Sequence, residues 1–120
     1  MNWLLIFIGG GLGAVLRYLI TFIVGKTDGH TFPFNTFLVN IMGCFAIGLL
    51  LSYHLKFKIP ETSYLFVVVG VLGGFTTFSS FGLEFVQLFK NGHISLALTY
   101  ALLSNLIGIG LVFAAYQLVK

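Results

Sequence analysis

Charge is what this chain has least of: six Lys and Arg and three Asp and Glu make up 8% of its 120 residues. A soluble domain carries about three times that share, so the chain is not built to hold a surface against water. The net charge of +3 is thinly spread, with no polybasic run, and that excludes nucleic-acid binding, which needs cations clustered on one face. Cysteine is reduced to Cys44, which excludes a disulfide within the chain; with no metal-ligand neighbours, it reads as a packing residue. Of the carboxylates, Asp28 and Glu61 fall in loops and Glu84 lies about a turn and a half from the end of an apolar run. His30 and His93 are in loops and His54 closes another run. No catalytic constellation, phosphate loop or metal-ligand cluster emerges, and the chain is read as not an enzyme.

What the sequence has in abundance is apolar surface. Hydrophobic residues make up 58% of it and the mean hydropathy is +1.06, which marks an integral membrane protein of the all-α class. Runs of about 20 apolar residues are needed to cross a bilayer, and they give four spans, at about 3–24, 36–54, 63–89 and 94–118. Together they form a single four-helix transmembrane domain, with no room for a soluble one. The first run is too long for a cleavable signal, has no basic region before it and carries Arg17 in its second half, so it counts as a true span. Four spans put Lys56, Lys58 and Lys120 on one side and Lys26, Lys90 and Arg17 on the other. Three basic residues on each side leave the positive-inside rule nothing to read, so the chain is expected to insert both ways round.

Four short helices enclose little interior, so an oligomer is implied. Gly9 with Gly13 and Gly70 with Gly74 form small-xxx-small pairs, with Gly43, Gly108 and Gly110 elsewhere; such pairs let helices approach closely, within a subunit or between subunits. The third span is longer than a bilayer requires, and Gly73-Gly74 followed by Thr76-Thr77 is poor helix-forming sequence near its middle. A break over Gly73–Thr77 is expected there, against the alternative of a kinked but continuous helix. Broken helices at membrane depth offer free carbonyls or amides to ions. Phe75, Phe78, Phe81, Phe85 and Phe89 follow helical spacing as one stripe, and Thr77, Ser80 and Glu84 form a polar stripe beside it. Ring edges carry the positive end of the aromatic quadrupole, so a polar line beside them suits an anion, while packing is the plain reading of the phenylalanines. Thr36 and Asn40 in span two, and Tyr100 and Ser104 with Asn105 in span four, supply further intramembrane polar groups, which face a bundle interior by default. Arg17 either snorkels to the interface or concentrates anions at an opening.

The segments GGGLGAVLRY (9–18), NTFLVNIMGCFAIG (35–48) and GVLGGFTTFSSFGLE (70–84) resemble the signature segments of the bacterial fluoride channels, the Fluc or CrcB family. With Tyr100 and Ser104, the likeness covers essentially the whole chain. The resemblance implies a dual-topology antiparallel homodimer in the bacterial inner membrane, with two fluoride pores and one central sodium ion. It implies passive, fluoride-selective efflux that protects the cytoplasm from fluoride. Phe78 and Phe81 would be the pore phenylalanines and Asn40 the pore-facing amide. Thr77, Ser79 and Ser80 would belong to the same polar segment, with Thr36 beside them. Tyr100 and Ser104 would continue the track, and Arg17 would favour anions at a vestibule. The carbonyls of Gly73 and Thr76, from both subunits, would hold the sodium. Asn35, where the family usually has glycine, and Ser80, where threonine is common, are departures from its pattern.

Two other classes compete. A proton-coupled small multidrug exporter shares the size, the four spans and antiparallel pairing, but span one lacks the embedded glutamate that exchanges protons for substrate. A purely structural membrane subunit would have no use for an interior polar track.

Overall fold

The computed structural model describes residues 1–119; Lys120, counted above among the basic residues, lies outside them. Among the described residues the structure is entirely helical, with four stretches long and apolar enough to cross a membrane. Helix α1 (Asn2–Val24) and helix α2 (Phe34–Phe57) are continuous. The third span, Glu61–Lys90, is made of pieces. Its first limb runs from α3 (Glu61–Tyr64) through a π-helical stretch (Leu65–Leu72) to a last α-helical turn, α4 (Gly73–Phe75); its second limb is α5 (Ser79–Lys90). The fourth span is α6 (Ile94–Val119). All four spans agree with the apolar runs to within about three residues at either end. At about 1.5 Å per residue, each exceeds the roughly 30 Å of a hydrocarbon core.

The turns place alternate loops at opposite ends. At one end Gly25, with φ 106°, closes α1 by returning its N–H to Thr21 O at 2.8 Å. The loop after it meets the α5–α6 turn, where Asn91 Nδ2 donates to Gly29 O at 2.9 Å. At the other end Lys58, in the left-handed region at φ 51°, closes α2, and Lys56 Nζ donates to Val119 O at 3.3 Å. Lys26 and Lys90 thus stand at one end, and Lys56 and Lys58 at the other.

Inside a bilayer, helices gain no hydrophobic free energy by meeting, so close van der Waals packing must hold them. The glycine pairs serve this within one chain. A Cβ on Gly9 would stand 2.5 Å from Phe66 O, and Gly70 lies against Gly9 with only 3.0 Å from its own would-be Cβ to the Gly9 Cα. Gly13 and Gly74 are equally closed, by the Val71 and Gly10 carbonyl oxygens respectively. Helix α1 therefore lies backbone to backbone along the first limb, over the π-helical stretch. Between α2 and α6, a Cβ on Gly48 would stand 2.5 Å from Val112 O, one on Gly108 would meet Cys44 Sγ at 3.1 Å, and Ser52 Oγ donates to Tyr116 O at 2.9 Å. Gly110 has open space. The outward faces remain apolar, with Trp3 86% and Phe7 78% exposed, as suits a chain whose solvent is lipid.

The break in the third span lies later than expected. Gly73 and Gly74 are helical, with Gly73 at φ −60°, ψ −36°. The chain leaves the helix at Thr76, which is extended at ψ 156°, and resumes at Ser79. Gly74 serves the contact with α1 instead, and the interruption falls on the residues whose hydroxyls can take over backbone hydrogen bonds. The phenylalanine stripe is a second correction. Because the break intervenes, Phe75 is buried towards α1 and α2, whereas Phe78 is 83% exposed and Phe81 and Phe85 pack beside Tyr100 and Leu88.

Candidate functional site

Two limbs that end at mid-membrane leave backbone groups to be satisfied without water. Thr76 stays tied to the first limb, since both its N–H and its Oγ1 donate to Leu72 O at 3.0 Å. Thr77 is held by Asn40 from α2, through a two-point pairing in which Asn40 Nδ2 donates to Thr77 O and Thr77 N donates to Asn40 Oδ1, each at 2.9 Å. One amide side chain thereby replaces both partners that a continuous helix would have supplied. An Asn amide has two N–H groups, so one stays free of this pairing. Thr77 Oγ1 in turn accepts from Ser80 N at 3.2 Å and lies 3.4 Å from Ser79 Oγ.

This arrangement redirects two amides. In an unbroken helix the Thr77 N–H would bond the Gly73 carbonyl and the Ser80 N–H the Thr76 carbonyl. Both are committed to side chains instead. The first limb therefore ends in carbonyls and the second begins with amides, so one interruption presents both poles of the helix dipole.

A cavity of about 440 Å³ opens against this break. Gly73, Thr76, Thr77, Phe78 and Phe81 line it from the third span, Asn40 from α2, and Ser104 and Asn105 from α6. Ser104 Oγ is buried without a partner, whereas Asn105 Nδ2 bonds back to Ala101 O at 2.8 Å. Phe81 stands between the cavity and the next layer: its ring is 5.7 Å from Phe78 and 5.0 Å from Tyr100, centroid to centroid.

Behind Phe81 lies a polar cluster drawn from three helices. Glu84, 5% exposed, accepts from Thr36 Oγ1 on Oε2 at 2.8 Å and from Tyr100 Oη on Oε1 at 2.9 Å. Tyr100 is fully buried, with Phe32 edge-on at 5.4 Å. Sequence reasoning placed Thr36 and Tyr100 separately and left Glu84 without a role. The signal that marked it was its place in the Thr77, Ser80, Glu84 stripe. The Asn40–Thr77 pairing, across 37 positions, had no local signal at all.

Of the residues singled out in the sequence, the structure gathers Asn40, Gly73, Thr76, Thr77, Phe78, Phe81 and Ser104 around one cavity, with Ser79 and Ser80 at the start of α5 and Thr36 and Tyr100 one layer beyond. Arg17 is not among the lining residues. It stands half-buried on α1, its Nε buried without a partner and its carbonyl accepting from Thr21 Oγ1 at 3.2 Å. Asn35 is buried at the start of α2 and reaches α1, its Nδ2 lying 3.5 Å from Thr21 Oγ1.

The stretch of chain that holds the break is similar to known proteins. The profile of the family described as CrcB-like protein, Camphor Resistance (CrcB), matches residues 4–116. The chain belongs to that family. It is 43% identical to a protein of Nitrobacter hamburgensis named fluoride-specific ion channel FluC 2, over 100% of this chain and 98% of the relative. It is 43% identical to a fluoride-specific ion channel FluC of Thermus thermophilus, over 98% and 94%. A third relative, the FluC of Rhodopseudomonas palustris strain BisB5, is 39% identical over 100% and 98%. The CrcB-like match runs through all four spans and both limbs of the third, so the break and its cavity lie wholly within the shared region.

Proposed function

We propose that this protein is a fluoride-selective channel of the bacterial inner membrane, through which fluoride leaves the cytoplasm passively and which thereby protects the cell from fluoride. The observation that carries this reading is the end-to-end similarity to relatives named fluoride-specific ion channels. The chemistry at the break supports it. Fluoride is small and holds its water tightly, so a pathway must offer short donors in a narrow space in exchange for the hydration shell. The hydroxyls of Ser79 and Ser80 and the remaining N–H of Asn40 are such donors. The ring edges of Phe78 and Phe81 supply a weaker positive lining. Ser104, whose hydroxyl has no partner, extends the track; Tyr100 and Thr36, whose hydroxyls donate to Glu84, continue it one layer beyond, and Arg17 raises the local concentration of anions.

In this reading two chains pair antiparallel, since the balanced lysines let the chain insert in either direction. The surfaces left for a second copy support that pairing: Phe78 is 83% exposed, and a Cβ on Gly73 would meet only Val68 O, at 4.0 Å. A sodium ion would be held by the Gly73 and Thr76 carbonyls of both copies. The donor set fits, because the amides that would otherwise occupy these two carbonyls are engaged elsewhere, and hard oxygen ligands suit a hard cation. When bound, the ion neutralises carbonyl dipoles that are costly to leave unpaired in a bilayer.

The test is reconstitution in liposomes loaded with fluoride or with chloride. Fluoride should leave quickly once a potassium ionophore relieves the charge build-up, and chloride should stay. Fluoride efflux that required an imposed proton gradient would replace the channel with an exchanger, and efflux of neither ion would leave a structural subunit.

A further inference from the structure

Far from the cavity, two imidazoles meet where the α1–α2 loop touches the α5–α6 turn. His30 Nδ1 and His93 Nε2 are 3.1 Å apart, with the ring planes at 82° and the centroids 5.3 Å apart. His30 is exposed and His93 half-buried, so both are open to the aqueous phase. Neither residue lines the cavity at the break. We propose that this pair is a two-imidazole site for a divalent late transition metal ion, of the zinc and nickel kind, which clasps the two loops at this end of the bundle.

The spacing is that of two ligands on one ion. At a metal–nitrogen distance of about 2.0–2.1 Å, ligands subtending about 90–110° place their nitrogens about 2.9–3.4 Å apart. Imidazole nitrogen is a ligand that zinc, copper and nickel accept in preference to the hard cations. Without the ion the same two atoms share a hydrogen bond, one ring donating to the other. Metal binding replaces that bond, and the donating ring moves its proton to its other nitrogen, so that both lone pairs face the ion.

The loops are held in register by contacts that owe nothing to a metal. Asp28 Oδ1 accepts from His30 N at 2.8 Å, Thr31 N at 3.0 Å and Thr31 Oγ1 at 3.1 Å, which fixes the turn that carries His30. His93 N donates to Leu88 O at 2.8 Å, and Asn91 Nδ2 ties the turn to Gly29 O at 2.9 Å. The rings thus meet with little ordering penalty, which is what raises the affinity of a two-point site. Among the described residues no group of three His, Cys, Asp or Glu side chains is placed to hold an ion. Water therefore completes the coordination, and the site is exchangeable, with affinity far below that of a buried structural zinc.

Titration calorimetry on the purified, detergent-solubilised protein, with zinc chloride or nickel chloride as the only added ion, tests this. Wild type should bind one ion per chain in the micromolar range. H30Q and H93Q should each weaken binding by roughly tenfold or more as the two-point attachment is lost, while H54Q, at the far end of α2, should bind as wild type does. The metal should also raise the thermal midpoint of wild type but not that of H30Q; His30 is exposed, so this variant is expected to elute as the folded protein. No heat up to millimolar metal, or wild-type affinity in the H30Q/H93Q double variant, would overturn the site.

Discussion

The two limbs of the third span are built on opposite plans. The first, residues 61–75, packs through the absence of side chains: Gly70 and Gly74 bring its backbone against Gly9 and Gly10 of α1, and Gly13 receives it from the other side of the contact. The second, α5, packs through large and polar side chains, with Phe81, Phe85 and Leu88 beside Tyr100 and with Glu84 reaching both α2 and α6. One span thus fixes its position by close approach and displays its chemistry on a separate piece. A limb locked by backbone contact cannot shift without losing many contacts at once, so it gives the interruption at Thr76 a firm edge. The limb carrying the polar groups is held by directional bonds, which place specific atoms.

The sharpest way to break this contrast is to add one side chain to each of two adjacent glycines. Gly74→Val drives a Cβ into the Gly10 carbonyl, an overlap between backbones that no rotamer relieves, and should destabilise the fold by more than about 4 kcal/mol. Gly73→Val, with nothing nearer than Val68 O at 4.0 Å, should leave the single chain folded and act only on what faces Gly73 from outside. Yield and thermal midpoint in detergent separate the two, and equal losses would remove the distinction between the glycines. Next in size is the junction itself. Asn40→Leu strands both the N–H and the C=O of Thr77 at membrane depth and should cost about 2–4 kcal/mol, along with fluoride efflux. Preserved stability would mean that the limbs do not depend on this amide.

The second limb's plan is tested at Glu84. Tyr100→Phe leaves Oε1 without its hydroxyl and should cost about 1–2 kcal/mol, and Thr36→Val should do the same for Oε2. A double-mutant cycle should show the two losses coupled through the shared carboxylate; strict additivity would break the cluster into independent contacts. The smallest effect belongs to the loop that carries His30. The His30 amide, then the Thr31 hydroxyl, hold the Asp28 carboxyl below its ordinary value near 3.8. A lowered folded-state value means that the turn's stabilisation is complete above that ordinary value and is lost as the pH falls through the lowered one. The hydrogen-exchange protection of the His30 and Thr31 amides, taken relative to the intrinsic rate at each pH, should fall over that acid range in wild type and be low throughout in Asp28→Ala, whereas pH-independent protection would detach the turn from this carboxylate.

Helix number, span limits and family were readable from the chain alone, because bilayer thickness and hydrocarbon solvation impose lengths and compositions that local sequence must meet. The three motifs likewise lie within the residues that the family profile matches. Which glycine did what was not readable: Gly73 and Gly74 look alike in sequence, yet only Gly74 faces another backbone, and helix-forming tendency alone placed the break too early. The break was moved to Thr76–Phe78 by Asn40, a residue 37 positions from Thr77 whose amide can replace both of its backbone partners at once. The junction of Glu84 with Thr36 and Tyr100 was equally out of reach, since each was legible as a polar position but nothing in the sequence joins them until three helices bring them together. The sequence by itself determined that this chain spans a membrane four times and that its third span carries polar chemistry. Only the tertiary structure decided where that span opens and which atoms it frees, because in a medium without water every backbone group must find its partner inside the protein, and those partners come from distant parts of the chain.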